Sequence, residues 1–341
     1  MTPKHVLVLS GGDSHEREIS LASARAVTKG LHRLGHQTSV FDITTCKSLL
    51  DESGEFLPNV EIAPSINQPE DTFLNELFGQ LRAAPELSGA DVVFLALHGG
   101  SGENGEIQDF LDDCDKKYTG SDARASHTAM NKASTKREAM TLGIRTPEWV
   151  EITEEVSAHP DLSSEVESTL GLPVVVKPSE GGSTQGLTVV RELARFPGAL
   201  ILAREYCSKI IAEQYIPGRE ITVSVFDGAP WPALEIVPKS GLYDYHSKYT
   251  PGATQYICPA EITEELAGRM RSDAVSIYKE LNCRGLARVD FILDQSQTPQ
   301  FLELNTIPGL TELSLSPMAA RAVGIEFDQL LEMIISSALK L

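Results

Sequence analysis

Two short runs near the C-terminus, Arg288-Val289-Asp290-Phe291-Ile292-Leu293 and Phe301-Leu302-Glu303-Leu304-Asn305, constrain this chain most. Residues 294–300 between them read as a turn, which makes the pair a β-hairpin. Strand side chains alternate between faces, so Val289, Phe291 and Leu293 share one face with Leu302 and Leu304. Arg288, Asp290, Glu303 and Asn305 take the other. With Asp290 opposite Glu303, Arg288 falls opposite Asn305, and two carboxylates and an amide oxygen converge beside a guanidinium. Neighbouring carboxylates repel unless something neutralises them, and hard oxygen donors suit Mg²⁺ shared with nucleotide phosphates. The solvated face of an ordinary antiparallel sheet gives the same alternation. The turn at 305–309 weighs against that reading, because its backbone can offer N–H groups to an anion beside the carboxylates.

A chain of 341 residues holds two or three domains. Its net charge of −19 (29 basic against 48 acidic residues) disfavours nucleic acid and anionic membrane as partners. A polyanionic substrate would have to meet cations gathered locally. No apolar run is long enough to span a bilayer and no signal peptide is evident. Five scattered cysteines show no metal spacing, so reduced thiols and a cytoplasmic location are expected.

Residues 5–10 form an apolar strand running into Gly11-Gly12. A helix then starts near 14–16 and ends near 34, and 40–42 is a second strand. Residues 91–97 are apolar on both faces, as in a buried parallel strand. Alternating strands and helices here imply a doubly wound α/β layer. The acidic stretch 51–88 holds a helix over 72–83. Further on come a helix over 131–142, strands at 172–178 and 187–190 flanking a glycine-rich loop, and strands at 210–216 and 220–226 joined by Pro217-Gly218. Helices follow at 262–281 and 326–340. The expected domains are 1–121, 122–217 and 218–341.

Glu180-Gly181-Gly182-Ser183-Thr184-Gln185-Gly186 lies between two strands, so it is neither a P-loop nor a Rossmann turn. Such a hairpin can fold over a triphosphate as a flap, although Gly-Ser-Thr clusters commonly mark surface turns. Lys177, at the end of the preceding strand, is well placed for a phosphate. Lys132 is a second candidate, or a solvated helical lysine. Residues 211–216 suit a purine or a core strand equally; Glu220 meets a ribose hydroxyl or stands exposed. Glu16, in the strand-to-helix turn at 11–18, caps the helix or receives a substrate ammonium. His98, heading the loop 98–105, is a ligand-side group by the same rule or a satisfied structural histidine. Residues 243–249 read as an ordered loop and possible lid, with Lys248 and Tyr249 as its functional candidates.

Taken in order, these pieces resemble the D-alanine–D-alanine ligases of the ATP-grasp family. The carriers are Gly11-Gly12-x-Ser14-x-Glu16-Arg17-Glu18-Ile19-Ser20-Leu21, Leu97-His98-Gly99 with Glu103-x-Gly105, Tyr118-Thr119-Gly120-Ser121 and Val176-Lys177-Pro178. Gly182-Ser183-Thr184-x-Gly186, Tyr243-Asp244-Tyr245 with Lys248-Tyr249, Arg288-Val289-Asp290, and Glu303-Leu304-Asn305-Thr306-x-Pro308-Gly309 with Thr311 and Ser314-Leu315-x-Pro317-Met318 complete the set. The resemblance implies an ATP-grasp fold that is α/β, in part α+β, and a peptidoglycan-precursor enzyme. The carboxylate of one D-alanine attacks the γ-phosphate of ATP, and the amine of a second attacks the resulting acyl phosphate. It further implies that Asp290, Glu303 and Asn305 hold two Mg²⁺ (or Mn²⁺), and that Lys132 and Lys177 hold phosphates. Glu213, Tyr215 and Ile216 would line the adenine pocket and Glu220 the ribose. Arg288 and the Gly309 N–H would stabilise the oxyanion, Glu16 would bind the first ammonium, and Lys248, Ser314 and Leu315 would position the second substrate. Glu16, Ser183 and Tyr249 would form a hydrogen-bonded set closing the lid. A homodimer is expected.

Four departures stand out. Asn131 occupies a position where the family usually has Asp, Gly181 adds a second glycine to the flap, His246 stands where an acid is common, and Leu313 where a polar or aromatic residue is frequent. Leu313 borders the acceptor subsite, so it bears on acceptor choice. The retained Tyr249 favours an amine acceptor.

Overall fold

The structure is a computed structural model that describes residues 2–57, 71–153, 161–241, 243, 247–248, 250 and 252–340, with backbone only at 71–75. Asp244, Tyr245, His246 and Tyr249 lie outside the described residues.

The first layer comprises β1 (His5–Ser10), α1 (Arg17–Arg33), β2 (Gln37–Asp42), β3 (Lys47–Ser48), α2 (Asp71–Ala83), α3 (Pro85–Gly89), β4 (Val92–Leu95) and α4 (Glu106–Asp113). The strand order is β3-β2-β1-β4, parallel except for the short β3 at one edge. Val6, Val8, Val40 and Phe94 pack on one side of this sheet against α1, while Leu7, Leu9, Val93 and Leu95 pack on the other against α2, α3 and α4. Both faces are covered, which is why these strands are apolar throughout.

The middle of the chain supplies α5 (Ala123–Met130), α6 (Lys132–Thr141), β5 (Trp149–Ile152), α7 (Leu162–Leu170), β6 (Val174–Pro178), β7 (Thr188–Val190), α8 (Phe196–Arg204) and β8 (Ile210–Gln214). They include an antiparallel sheet of order β5-β8-β6-β7. Val174, Val176, Ile210 and Ala212 face α7 and α8. Period-2 alternation therefore turns Lys177 and Glu213 to the opposite side.

The last part holds β9 (Gly218–Phe226), β10 (Ala229–Pro230), β11 (Leu234–Pro238), β12 (Thr254–Ile257), α9 (Glu264–Glu280), β13 (Leu286–Asp294), β14 (Pro299–Asn305), α10 (Leu315–Ala322) and α11 (Phe327–Leu339). The sheet runs β12-β11-β9-β13-β14, with β10 beside β9. Ile221, Val223, Val289, Phe291 and Phe301 bury against Met270, Ala274 and Ile277 of α9. The final helix returns to the first layer: Leu330, Leu331, Ile334 and Ile335 of α11 enter the core built by α1 and β1.

The hairpin register is the one expected, with Arg288 opposite Asn305 and Asp290 opposite Glu303. One expectation fails. Phe291 pairs with Phe301 rather than Leu302, because β14 carries one extra residue at that point. Such a bulge resets alternation beyond it. Phe301 and Leu304 are buried in the core, and Leu302 turns to the polar side, where it lines a cavity with Asp290 and Glu303. The strands 210–214 and 218–226 follow each other in sequence but belong to different sheets, so the Pro217 connection carries the chain between layers.

Candidate active site

Two adjoining cavities lie where the three layers meet. The larger, about 300 Å³, is lined by Glu16, His98, Lys132, Ser183, Lys248, Arg288, Glu303, Asn305, Gly309, Ser314 and Leu315, and thus gathers most of the sequence-derived candidates. The smaller, about 150 Å³, is lined by Lys177, Glu220 and Asp290, and shares Lys132, Ser183, Lys248, Arg288, Glu303 and Leu315 with its neighbour. Glu213 stands behind the wall, joined to Lys177. Tyr215 and Ile216 are half-buried and line neither cavity; Tyr215 sits instead under the Arg191 guanidinium, 5.5 Å from its ring centre. Tyr249 lies outside the described residues.

The parallel sheet reaches the larger cavity through loops at the carboxyl ends of β1 and β4, the usual ligand side of such a sheet. These loops are tied together: Ser14 Oγ donates to the His98 carbonyl (2.5 Å), and the Ser101 N–H and Oγ donate to Asp13 Oδ1 at 3.2 and 3.1 Å. Burial holds the His98 imidazole below its ordinary pKa, against the pull of Glu16, and its Nε2 meets Ser23 Oγ at 3.0 Å. Glu103 accepts the Gly99 N–H at 2.8 Å. Burial, reinforced by the Glu16 carboxylate, pushes the Glu103 carboxyl up to about 8.

The glycine-rich flap closes onto this loop system. Ser183 Oγ donates to Glu16 Oε1, so two members of the expected three-residue set meet. Gly182 comes close to Glu16: a Cβ there would stand 2.7 Å from Glu16 Oε2, so a side chain at 182 would push the carboxylate aside. Asn131 caps α6 by accepting the Ser134 N–H (2.9 Å), and its amide donates to Glu180 Oε1 (2.9 Å) at the base of the flap. An ionised Asp cannot make that second bond, so this departure from the family pattern has a local use.

The antiparallel sheet contributes through its strand faces. Arg288 clasps Asp290 (Nε–Oδ1 2.9 Å, Nη2–Oδ2 2.8 Å), and Thr222, opposite Asp290 on β9, donates to Oδ1 at 2.6 Å. Lys132 Nζ lies 3.1 Å from Glu303 Oε2 and donates to the Gly181 carbonyl at 2.6 Å. Burial alone would raise the Glu303 pKa, but Lys132, Lys177 and Lys248 overcome it and hold the carboxylate down at about 2. Burial opposes the Arg288 charge too, yet Asp290 and Glu303 keep that guanidinium well above its ordinary value. Burial lifts Glu220 to about 7, against Lys248. Asn305 Oδ1 accepts the Ile307 N–H at 2.8 Å and so fixes the turn that follows. Ser314 Oγ lies 2.8 Å from Thr311 Oγ1 and accepts the Thr311 N–H at 3.0 Å.

Asp290, Glu303 and Asn305 form a hard-oxygen donor set on paired strands. Cross-strand neighbours stand about 5 Å apart at Cβ, and the ionised Glu303 is what a cation site needs. Among the described residues there is no cluster of three or more His, Cys, Asp or Glu suited to a metal. The candidate set has two carboxylates and an amide.

Sequence reasoning assigned no role to three residues. Glu103 stood in a quoted motif, and an acid in a ligand-side loop was the available signal. Lys136 lies one helical turn beyond Lys132, a spacing that was legible. Thr222 required knowing that β9 pairs with β13.

Residues 5–121 match the family described as "D-ala D-ala ligase N-terminus" and residues 139–336 the one described as "D-ala D-ala ligase C-terminus". Two curated relatives are the D-alanine–D-alanine ligases of Gloeobacter violaceus, 38% identical over 98% of this chain and 99% of its own, and of Nitrosomonas europaea, 39% identical over 97% and 95%. Among solved structures, the Bacillus anthracis D-alanine–D-alanine ligase complexed with ATP superposes with TM-score 0.76 at 28% identity, covering 99% of this chain and 98% of its own. The Enterococcus faecalis VanG D-Ala:D-Ser ligase does so with TM-score 0.77 at 28% identity, over 99% and 100%. The chain belongs to the D-alanine–D-alanine ligase family and has its ATP-grasp fold.

Proposed function

We propose that this protein joins two D-alanine molecules into D-alanyl-D-alanine, consuming ATP and releasing ADP and phosphate, to supply a peptidoglycan precursor. The observation that carries the reading is the meeting of Glu16, Ser183, Arg288 and Glu303, from three layers, around one cavity. Glu16 receives the ammonium of the first D-alanine, whose carboxylate then attacks the γ-phosphate. Arg288 and the Gly309 N–H stabilise the oxyanion that forms when the second amine attacks the acyl phosphate. One such donor is worth roughly 10²–10³ in rate. Lys132 and Lys177 hold phosphate oxygens. Glu220 takes the ribose, while Glu213, Tyr215 and Ile216 border the adenine. Lys248, Ser314 and Leu315 position the second D-alanine. Tyr249 joins Glu16 and Ser183 when the lid closes. A neutral His98 donates or accepts without adding charge beside the first substrate.

The donor chemistry of Asp290, Glu303 and Asn305 fits two Mg²⁺ ions, with Mn²⁺ as a substitute. When bound, they supply neutralisation of phosphate charge. The domains follow 1–121, 122–217 and 218–341, and the protein works in the cytoplasm as a homodimer, readable from its mass in solution. Among the described residues no helix is long and apolar enough to cross a membrane.

The test is phosphate release from Mg-ATP with D-alanine, L-alanine, D-serine or D-lactate supplied separately, with products identified by mass. D-alanine alone is expected to support turnover and yield the dipeptide. Turnover that requires D-serine beside D-alanine, or none with any of the four, overturns the assignment.

A further inference from the structure

Lys136 lines neither cavity, and its side chain is fully buried (0% exposed). Its ammonium donates to Thr146 Oγ1 (2.7 Å) and the Pro147 carbonyl (3.2 Å) and stands 5.4 Å from the centre of the Trp149 ring. These contacts fix it in place. It also lies 3.0 Å from Glu213 Oε2, whose other oxygen, Oε1, accepts from Lys177 Nζ at 2.5 Å. Glu213 is thus held between a cation on the cavity wall and a cation behind it. Burial opposes the Glu213 charge, but Lys136 and Lys177 together hold its pKa below the ordinary value.

The assignment of Lys177 to nucleotide phosphates, on which this inference rests, creates a problem. A lysine that turns toward phosphate leaves its carboxylate partner. A buried carboxylate stripped of its partner is strongly unfavourable. With Lys177 as sole counter-ion, Glu213 would retain it and compete with the nucleotide. With Lys136 in place the group holds two cations and one anion, so one positive charge is free to be shared. Lys136 and Lys132 are four residues apart on α6 and therefore lie on one helix face. The helix that brings Lys132 to the cavity also brings the charge that stays with Glu213.

We propose that Lys136 is a positioning residue, the fixed counter-charge that lets Glu213 release Lys177 to the nucleotide phosphates.

The experiment is the affinity of the full-length protein for Mg-ATP, measured by calorimetry without amino acid. The wild type is compared with K136R, K136Q and K136M, and with E213Q and K136Q/E213Q as a thermodynamic cycle. The glutamine variant retains donors for Thr146 and the Pro147 carbonyl, so it carries the test if K136M does not fold. K136Q and K136M are expected to weaken Mg-ATP binding at least about tenfold, and K136R less than about threefold. In the E213Q background the same K136Q change is expected to cost less than about threefold, because no carboxylate then competes for Lys177. At saturating ATP, KM for D-alanine is expected to move less than about twofold, a split that a general structural defect would not give. Folded K136Q that binds Mg-ATP like the wild type overturns the inference, as does an equal cost in both backgrounds. A wild type that binds no Mg-ATP overturns the proposed function as well, which separates the two failures.

Discussion

Glu103 and Glu303 border the same cavity with opposite charge states. Glu103 comes from a loop at the end of a parallel strand. Burial and the Glu16 carboxylate outweigh the Gly99 N–H and the Arg288 guanidinium there, so the proton stays on near neutrality. Glu303 comes from an antiparallel strand face. Lys132 on α6, Lys177 on β6 and Lys248 surround it from other elements, so the proton is lost even in acid. Glu103 is buried while the Glu303 side chain is 32% exposed, so burial weighs less on Glu303, and the surrounding cations do the rest. The loops offer the substrate one carboxylate, Glu16, among neutral hydrogen-bonding groups, whereas the sheet offers a permanent anion among cations.

The largest test of this contrast is Glu303→Gln. Losing a carboxylate that is proposed to hold metal and that balances three lysines should remove several kcal/mol of transition-state stabilisation, a loss on the order of 10³-fold in kcat. Urea unfolding should show a much smaller change, and near-normal turnover would break the assignment.

The second test is the pH dependence of stability in the protein without nucleotide. The folded pKa of Glu103, about 8, lies above its ordinary 4.5. Its contribution is therefore fully present below about pH 4.5 and is lost as pH rises through 8. Glu303 is reversed: its folded value of about 2 lies below 4.5, so its contribution is present above about pH 4.5 and lost as pH falls toward 2. Glu103→Gln should flatten the decline between pH 6 and 8 by roughly 2 kcal/mol, measured by urea melts at each pH. An unchanged slope would show that Glu103 is ionised like its counterpart.

The smallest effect belongs to the seam between the two regions. Gly182→Ala places a methyl group against Glu16, so KM for D-alanine should rise about tenfold, while stability shifts by no more than about 0.5 kcal/mol, as for other surface changes. An unaltered KM would mean that the flap need not seat on Glu16 during turnover.

What the sequence revealed divides along the same line. The hairpin register was legible because alternation is local: two polar pairs and the flanking valine, phenylalanine and leucine pin it. The bulge at Leu302 was not, since one unpaired residue is a property of the paired backbone and leaves no mark in composition. The buried parallel strands β1 and β4 announced themselves by continuous apolar character. The short strands β5, β11 and β12 and the helix α10 did not, being brief or only partly buried. Most candidate site residues were recognisable one at a time. Their charge states were not, because these depend on cations delivered from elements far away in sequence, as Lys132 and Lys177 are to Glu303. Tyr215 and Ile216 lie just past the end of β8 at Gln214, where strand alternation no longer assigns a side chain to a face.

The return of α11 to the first layer bears on how the protein is made. On the ribosome, β1, α1, β2 and β4 emerge early, but Val6, Val8 and Phe94 share their core with Leu330, Leu331, Ile334 and Ile335. Until residues 327–339 leave the exit tunnel, one side of the nascent sheet has an unfilled apolar seat. The portion synthesised first is the last to be closed, and a ribosome stalled before α11 would hold a chain with its earliest layer open to holdase chaperones.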